Sequence, residues 1–214
     1  MKEGAGKNRC RAKAQTAIPA VLVLPLNRPR LSIIAGANGS GQTTLTGWNS
    51  DIFRAIPLLD PDTIAKALQS TSPTAFPIAA ARRVLVSAKE HIREGESFAI
   101  ETTLAGKHYL QMMVDARNRG FENVLVYVGT KNVEINLARI RNRVLAGGHE
   151  VPEGDVRRRY GRSFKSLPIA MERADQAILF DHSTEEGYRL VAVLGPSGNQ
   201  WFEPVPDWAK ASQR

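Results

Sequence analysis

The sequence predicts an α/β fold, a central and mostly parallel sheet with helices on both faces, and three observations carry that expectation. Short apolar runs recur along the chain, helix-length amphipathic stretches separate them, and the first run ends in a glycine-rich turn. A parallel sheet needs crossover connections of that length, and it buries its strands on both faces.

The first strand is read at Leu31 to Ala35, ending at Gly36, with a helix from Thr43 onward. Ile56 to Leu59 is the next strand. It leads to Asp60-Pro61-Asp62 and a helix through Ile64, Ala65 and Leu68. Pro77 suits a helix start, and the alanine-rich stretch to Ile92 has helical spacing before Gly95 stops it. Ser97 to Ile100 is a third strand, with Glu101, Thr102 and Thr103 at its carboxyl edge. Tyr109 to Arg117 is helical, and the valine-rich run Val124 to Val128 reads as a buried strand. Two helices follow, Asn132 to Ala146 and Glu153 to Arg173, the second with a break or kink near Pro168. Ala177 to Phe180 is a fifth strand, and Val191 to Leu194 with Trp201-Phe202 forms a terminal hairpin.

Bulk properties bound the rest. A chain of 214 residues, 43% hydrophobic and 23% charged, suits one folded domain, expected over residues 30–214 behind a basic, flexible extension at 1–29. That extension also reads as residues upstream of a misassigned start. The single cysteine, Cys10, excludes an internal disulfide and a cysteine-cluster metal site, in keeping with a cytoplasmic location. Ala17 to Leu26 superficially resembles a secretion signal, but two prolines interrupt it. No stretch has the roughly 20 apolar residues of a membrane span. The net charge of +8 suits nucleic acid or a phosphorylated small molecule equally. Because it gathers in the extension and in Arg139 to Lys165, with few aromatics interleaved, a nucleic-acid partner is not expected.

The glycine-rich turn carries the chemistry. Gly36-Ala37-Asn38-Gly39-Ser40-Gly41-Gln42-Thr43-Thr44 has the glycine spacing of a P-loop, in which the backbone curls so that several N–H groups converge on a phosphate. The following helix adds its positive end, and Thr43 stands where a hydroxyl would meet Mg²⁺. Gln42 is the departure. The expected lysine places a charge between the β- and γ-phosphates, whereas glutamine donates a hydrogen bond without neutralising charge. Nucleotide binding is therefore expected to survive better than phosphoryl transfer.

Other candidates surround this turn. Asp62 is read either as a base for an attacking hydroxyl or as a helix cap. Glu101, Thr102 and Thr103 suit the hydroxyls of an acceptor, or a turn. Arg143, Arg158, Arg159 and Arg162, with Arg139, lie on two helices joined by Gly147-Gly148-His149. That pattern fits a mobile lid closing over phosphates. The four histidines have no metal-ligand spacing.

These segments together resemble the zeta toxin family of P-loop kinases, within the wider nucleoside triphosphate hydrolase and kinase fold. The resemblance runs from about Leu31 to Ser183 through DPDTIAKAL, FAIETTLAG, VLVYVG, NLARIRNRVLAGGHEVPEGDVRRRYGRS and ADQAILFDHS. It implies a kinase using ATP or GTP with Mg²⁺ on a small molecule such as UDP-N-acetylglucosamine, restrained by a small helical antitoxin. It implies Asp62 as base, Glu101 and Thr103 as substrate contacts, and Arg159 and Arg162, with Arg143 near them, as lid arginines. Two residues depart from the family pattern: Gln42 for lysine, and His182 for the asparagine of an Asp-Asn-Ser sequence.

Overall fold

The computed structural model describes residues 28–48, 56–61, 63–64 and 76–213. Its elements run β1 (Arg30–Ala35), α1 (Gln42–Trp48), β2 (Leu58–Leu59), α2 (Phe76–Glu94), β3 (Phe98–Thr102), α3 (Lys107–Asn118) and β4 (Glu122–Gly129). They continue with α4 (Val133–Leu145), α5 (Glu153–Arg173), β5 (Gln176–Thr184), β6 (Gly187–Gly195), β7 (Gly198–Trp201) and α6 (Asp207–Lys210). Among the described residues no helix is long and apolar enough to cross a membrane. Asp62, Ala65, Leu68 and the extension up to residue 27 lie outside the described residues.

The seven strands form one mixed sheet in the order β2-β3-β1-β4-β5-β6-β7. The first five are parallel, and β6 and β7 are antiparallel. Every residue of β4 is buried, as a strand covered on both faces requires. Leu31, Ile33 and Ala35 of β1 pack on one face with Val84, Ala88 and Ile92 of α2, Met113 and Ala116 of α3, and Leu167 and Ala170 of α5. Ile34 points to the other face and meets Leu45 of α1, Phe180 and Tyr188. A third cluster, Leu137 and Ile140 of α4 with Val156 of α5, joins the two arginine-bearing helices, and Val133 and Val144 extend the apolar stripe of α4.

Three elements differ in detail from the expectation. α5 runs from Glu153 to Arg173 with Pro168 inside it, so the expected disturbance there does not end the helix. The neighbouring Leu167 and Ala170 are fully buried, and their packing offsets the missing N–H bond. The strand predicted at Ala177 to Phe180 continues through Asp181, His182, Ser183 and Thr184, and turns at Glu185-Glu186 directly into β6. The polar tail hid this hairpin, because its side chains serve the site rather than the core. The last hairpin forms where expected, but its turn is tighter: Gly195 pairs with Gly198 across Pro196-Ser197, and β7 runs Gly198–Trp201 without Phe202.

β1 lies between β3 and β4, so the chain leaves it toward one side of the sheet and later returns to the other. In open α/β sheets the crevice outside the carboxyl ends of the strands at such a reversal is where ligands bind. Residues 36–44 stand there.

Candidate phosphate-binding site

The loop between β1 and α1 is seated against its neighbours by its glycine positions. A Cβ on Gly36 would collide with the carbonyl oxygen of Val128, and one on Gly39 would lie 2.6 Å from the carbonyl oxygen of Asn136. At Gly41, where φ is +109°, it would lie 2.6 Å from both His182 Nδ1 and the Tyr188 hydroxyl. The outer side of the loop is thus filled by protein. Within it, Ser40 N–H donates to Ala37 O at 3.0 Å and Leu45 N–H to Gly41 O at 3.0 Å. The N–H groups of Asn38, Gly39, Gly41, Gln42 and Thr43 donate to no acceptor among the described residues. Ser40 is 1% exposed, and its hydroxyl has no partner either. A buried donor without an acceptor, as the Ser40 hydroxyl is, is costly, and N–H groups without partners at a glycine-rich turn and helix start are what a bound anion satisfies.

Gln42 is turned away from this cradle. Its Nε2 donates to Thr102 O at 2.6 Å and lies 3.3 Å from Ile34 O, bridging the carboxyl ends of β3 and β1. Glu101 is 6% exposed on β3, and Thr43 Oγ1 donates to its Oε2 at 2.9 Å while Thr46 Oγ1 donates to its Oε1 at 2.6 Å. The carboxylate therefore faces the start of α1 beside the loop. Thr102 Oγ1 accepts Leu104 N–H at 3.0 Å, and Leu104 takes a left-handed φ of 56° while fully buried. Such a conformation is costly for a side-chain-bearing residue and persists where neighbours enforce it. Thr103 is half-buried between them. Asp60 is a cap, since its Oδ2 accepts both the N–H and the hydroxyl of Thr63, at 3.1 and 2.6 Å.

The arginines divide. Arg159 reaches the loop, with Nη1 3.3 Å from Asn38 Oδ1, and it also lies 3.7 Å from Asp155. Arg158 pairs with Asp155 at 2.9 Å, and Arg143 donates to His149 O in the connection between α4 and α5. Arg162 is exposed and makes no ion pair among the described residues. Arg139 turns toward β5, where Nη1 donates to His182 O at 2.8 Å.

Two site residues escaped the sequence reading. Asn136 is fully buried on α4, accepts the Thr130 hydroxyl at 2.5 Å, and donates to Asn38 O at 2.8 Å. Its signal was present as one polar residue within the stripe of Val133, Leu137 and Ile140. Tyr188 donates to Gly41 O at 2.5 Å and stacks on His182, with ring centroids 4.0 Å apart. Tyr188 sits in a strand whose start the apolar pattern did not mark.

His182 Nδ1 lies 2.7 Å from Ser40 O and 3.1 Å from Arg139 Nη1; because a carbonyl can only accept, the shorter contact assigns the proton to Nδ1, and Arg139 Nη1 donates instead to His182 O at 2.8 Å. Burial holds the imidazole below its ordinary pKa. The Ser40 carbonyl works against this, Arg139 adds to the lowering, and Asp181 opposes it. With the folded value below the unfolded one, the unfolded chain binds more protons in the window between them. The stabilisation is then complete above about pH 6.5 and is lost as pH falls through the folded value. We expect the melting temperature to drop between pH 7.5 and 5, and His182→Asn to flatten that component. Equal slopes for both proteins in a calorimetric pH series would count against it.

Comparison with known proteins sets this geometry in context. No family model matches the chain. An uncharacterized protein of Haemophilus influenzae is 38% identical over 125 residues, covering 58% of this chain and 88% of that protein. The chain belongs to that protein's family. Among solved structures this family member resembles the AvrRxo1-ORF1:AvrRxo1-ORF2 complex crystallised with ATP, at a TM-score of 0.66 and 13% identity. The match covers 91% of this chain and 66% of that one. The chain therefore spans just under two thirds of that neighbour's length. It also resembles the PezAT chromosomal toxin-antitoxin system of Streptococcus pneumoniae, at a TM-score of 0.56 and 16% identity over 85% of this chain and 80% of that one. At these identities the likeness is one of fold alone.

Proposed function

We propose that this chain binds ATP or GTP with Mg²⁺ at residues 36–44 and transfers phosphate, at a rate attenuated by Gln42, to a hydroxyl of a small molecule. The acceptor class is a UDP-sugar such as UDP-N-acetylglucosamine. The observation that carries the reading is the set of N–H groups without acceptors among the described residues, in a loop whose glycine positions are closed off by neighbouring protein atoms. An anion of phosphate size is what such a nest accepts.

The residues present fit the implied groups. The Thr43 hydroxyl and the Glu101 carboxylate, 2.9 Å apart, are hard oxygen donors suited to Mg²⁺, which when bound supplies neutralising charge to the phosphates. Arg159 stands beside Asn38 and would place its guanidinium over the phosphate chain, with Arg162 and Arg143 on the same helical pair acting as a lid. Asp62 follows β2 and is assigned the proton of the acceptor hydroxyl. Glu101, Thr102 and Thr103 border the acceptor side. Residues 30–214 are taken as one domain. Because the AvrRxo1-ORF1 and PezAT neighbours come from two-component assemblies, a small helical partner is proposed for this chain as well.

One observation favours a second reading, nucleotide binding without transfer. Gln42 carries no charge, and its amide hydrogens are directed to strand carbonyls rather than to the phosphates. Isothermal titration with ATP and Mg²⁺ tests the part common to both readings, and absence of heat at millimolar nucleotide sinks it. ATP consumption across a panel of UDP-sugars separates them. Turnover in the native protein that is lost in Asp62→Ala supports the kinase, and nucleotide binding with no turnover supports the second reading.

A further inference from the structure

Three carbonyls of the loop are held from outside by side chains that the functional reading does not use. Asn136 from α4 donates to Asn38 O, His182 from β5 donates to Ser40 O, and Tyr188 from β6 donates to Gly41 O. The donors come from three different elements, and each is itself anchored. Asn136 is fixed by Thr130, the His182 backbone by Arg139, and the rings of His182 and Tyr188 by stacking on each other within 20° of parallel.

The geometry of the peptide unit gives these contacts a consequence. In a planar trans peptide the carbonyl of one residue and the N–H of the next point in opposite directions. Drawing the carbonyls of Asn38, Ser40 and Gly41 outward therefore turns the N–H groups of Gly39, Gly41 and Gln42 inward. Those three are among the N–H groups that find no acceptor among the described residues. The glycine contacts agree in placing α4 against the loop, where a Cβ at Gly39 would strike the backbone carbonyl of Asn136, and β5 and β6 against its end, where one at Gly41 would strike the His182 and Tyr188 side chains. Burial raises the Tyr188 phenol to about 12, so it remains a donor at any physiological pH.

We propose that Asn136, His182 and Tyr188 are positioning residues that hold the loop in its anion-accepting conformation before any ligand arrives. A loop already ordered loses little conformational freedom on binding, so the affinity lost with the lysine is partly retained through preorganisation. The ligand used as probe rests on the nucleotide reading above, whereas the order of the empty loop does not.

The test is therefore made in two arms on the full chain. Backbone amide order parameters are measured without ligand, and affinity for Mg-ATP and Mg-ADP is measured by titration. The native loop should be as rigid as the strands, at about 0.85. Tyr188→Phe and His182→Ala should lower the order of Gly39, Gly41 and Gln42, and weaken nucleotide binding about tenfold. His182→Asn should retain both properties, because its amide nitrogen can donate to Ser40 O as Nδ1 does. Unchanged loop order in Tyr188→Phe and His182→Ala overturns the proposal whatever the affinities. If the loop loosens as expected but neither nucleotide binds the native protein, the nucleotide reading falls and the tethers stand. Should His182→Ala fail to fold, Tyr188→Phe removes a single oxygen atom and carries the same decision.

Discussion

Gln42→Lys is expected to raise ATP turnover by about 10²-fold or more, with nucleotide affinity changing far less. Two unit charges 4 Å apart interact by about 4 kcal/mol at an effective dielectric of 20, and roughly 1.4 kcal/mol of barrier is worth a factor of ten. A lysine acts where negative charge moves during transfer, so most of its contribution appears in the transition state rather than in binding. One competing effect reduces the gain. Gln42 donates to Thr102 O and lies close to Ile34 O, and a lysine ammonium can turn to the same carbonyls. Because those carbonyls are neutral and the phosphates are anionic, the ammonium is drawn to the phosphates once nucleotide is bound. A coupled assay of ATP consumption with a panel of UDP-sugars reads the result. Unchanged turnover in a variant that still binds nucleotide would place the defect elsewhere in the site.

Much of this architecture was legible because parallel strands buried on both faces have to be apolar. Leu31 to Ala35 and Val124 to Val128 announced themselves as runs, and the glycines at 36, 39 and 41 announced the turn between β1 and α1. The stripes of α4 and α5 were legible for the same reason, since Leu137, Ile140 and Val156 meet each other. What the pattern could not carry is how polar side chains pair across distance. Gln42 was recognised as a substitution, yet its partners lie 8 and 60 residues away and leave no local trace. Glu101 was placed at a strand edge, but its two threonine donors belong to α1. The arginines were counted as one cluster, and the fold separates them. Arg159 goes to the loop, Arg139 to β5, and Arg143 to its own connection. A helix presents residues four apart on one face, but which neighbour that face meets is decided by packing.

Gly41→Ala should abolish nucleotide binding while leaving a folded, less stable protein. Two costs add at this position. With φ at +109°, an alanine would be held in a conformation that side-chain-bearing residues rarely adopt, at about 1–3 kcal/mol. The new methyl group would also lie 2.6 Å from His182 Nδ1 and the Tyr188 hydroxyl. Those two rings are stacked on each other, and Tyr188 is 3% exposed, so neither can retreat without disturbing β5 and β6. The least costly relaxation is for the loop itself to rotate the peptide units on either side of Gly41. That rotation breaks the contacts of Ser40 O and Gly41 O and swings the N–H groups of Gly41 and Gln42 out of the cradle. Binding is therefore lost through geometry, with every polar side chain of the site still present. Gly47→Ala is the matched control, because a Cβ there meets nothing within 4 Å and Gly47 lies in α1, the helix that follows the loop. Titration with Mg-ATP should show no heat for Gly41→Ala and native affinity for Gly47→Ala. Urea denaturation should place Gly41→Ala about 2–4 kcal/mol below the native protein. Native affinity in a folded Gly41→Ala would mean that the amides of this turn do not hold the phosphate.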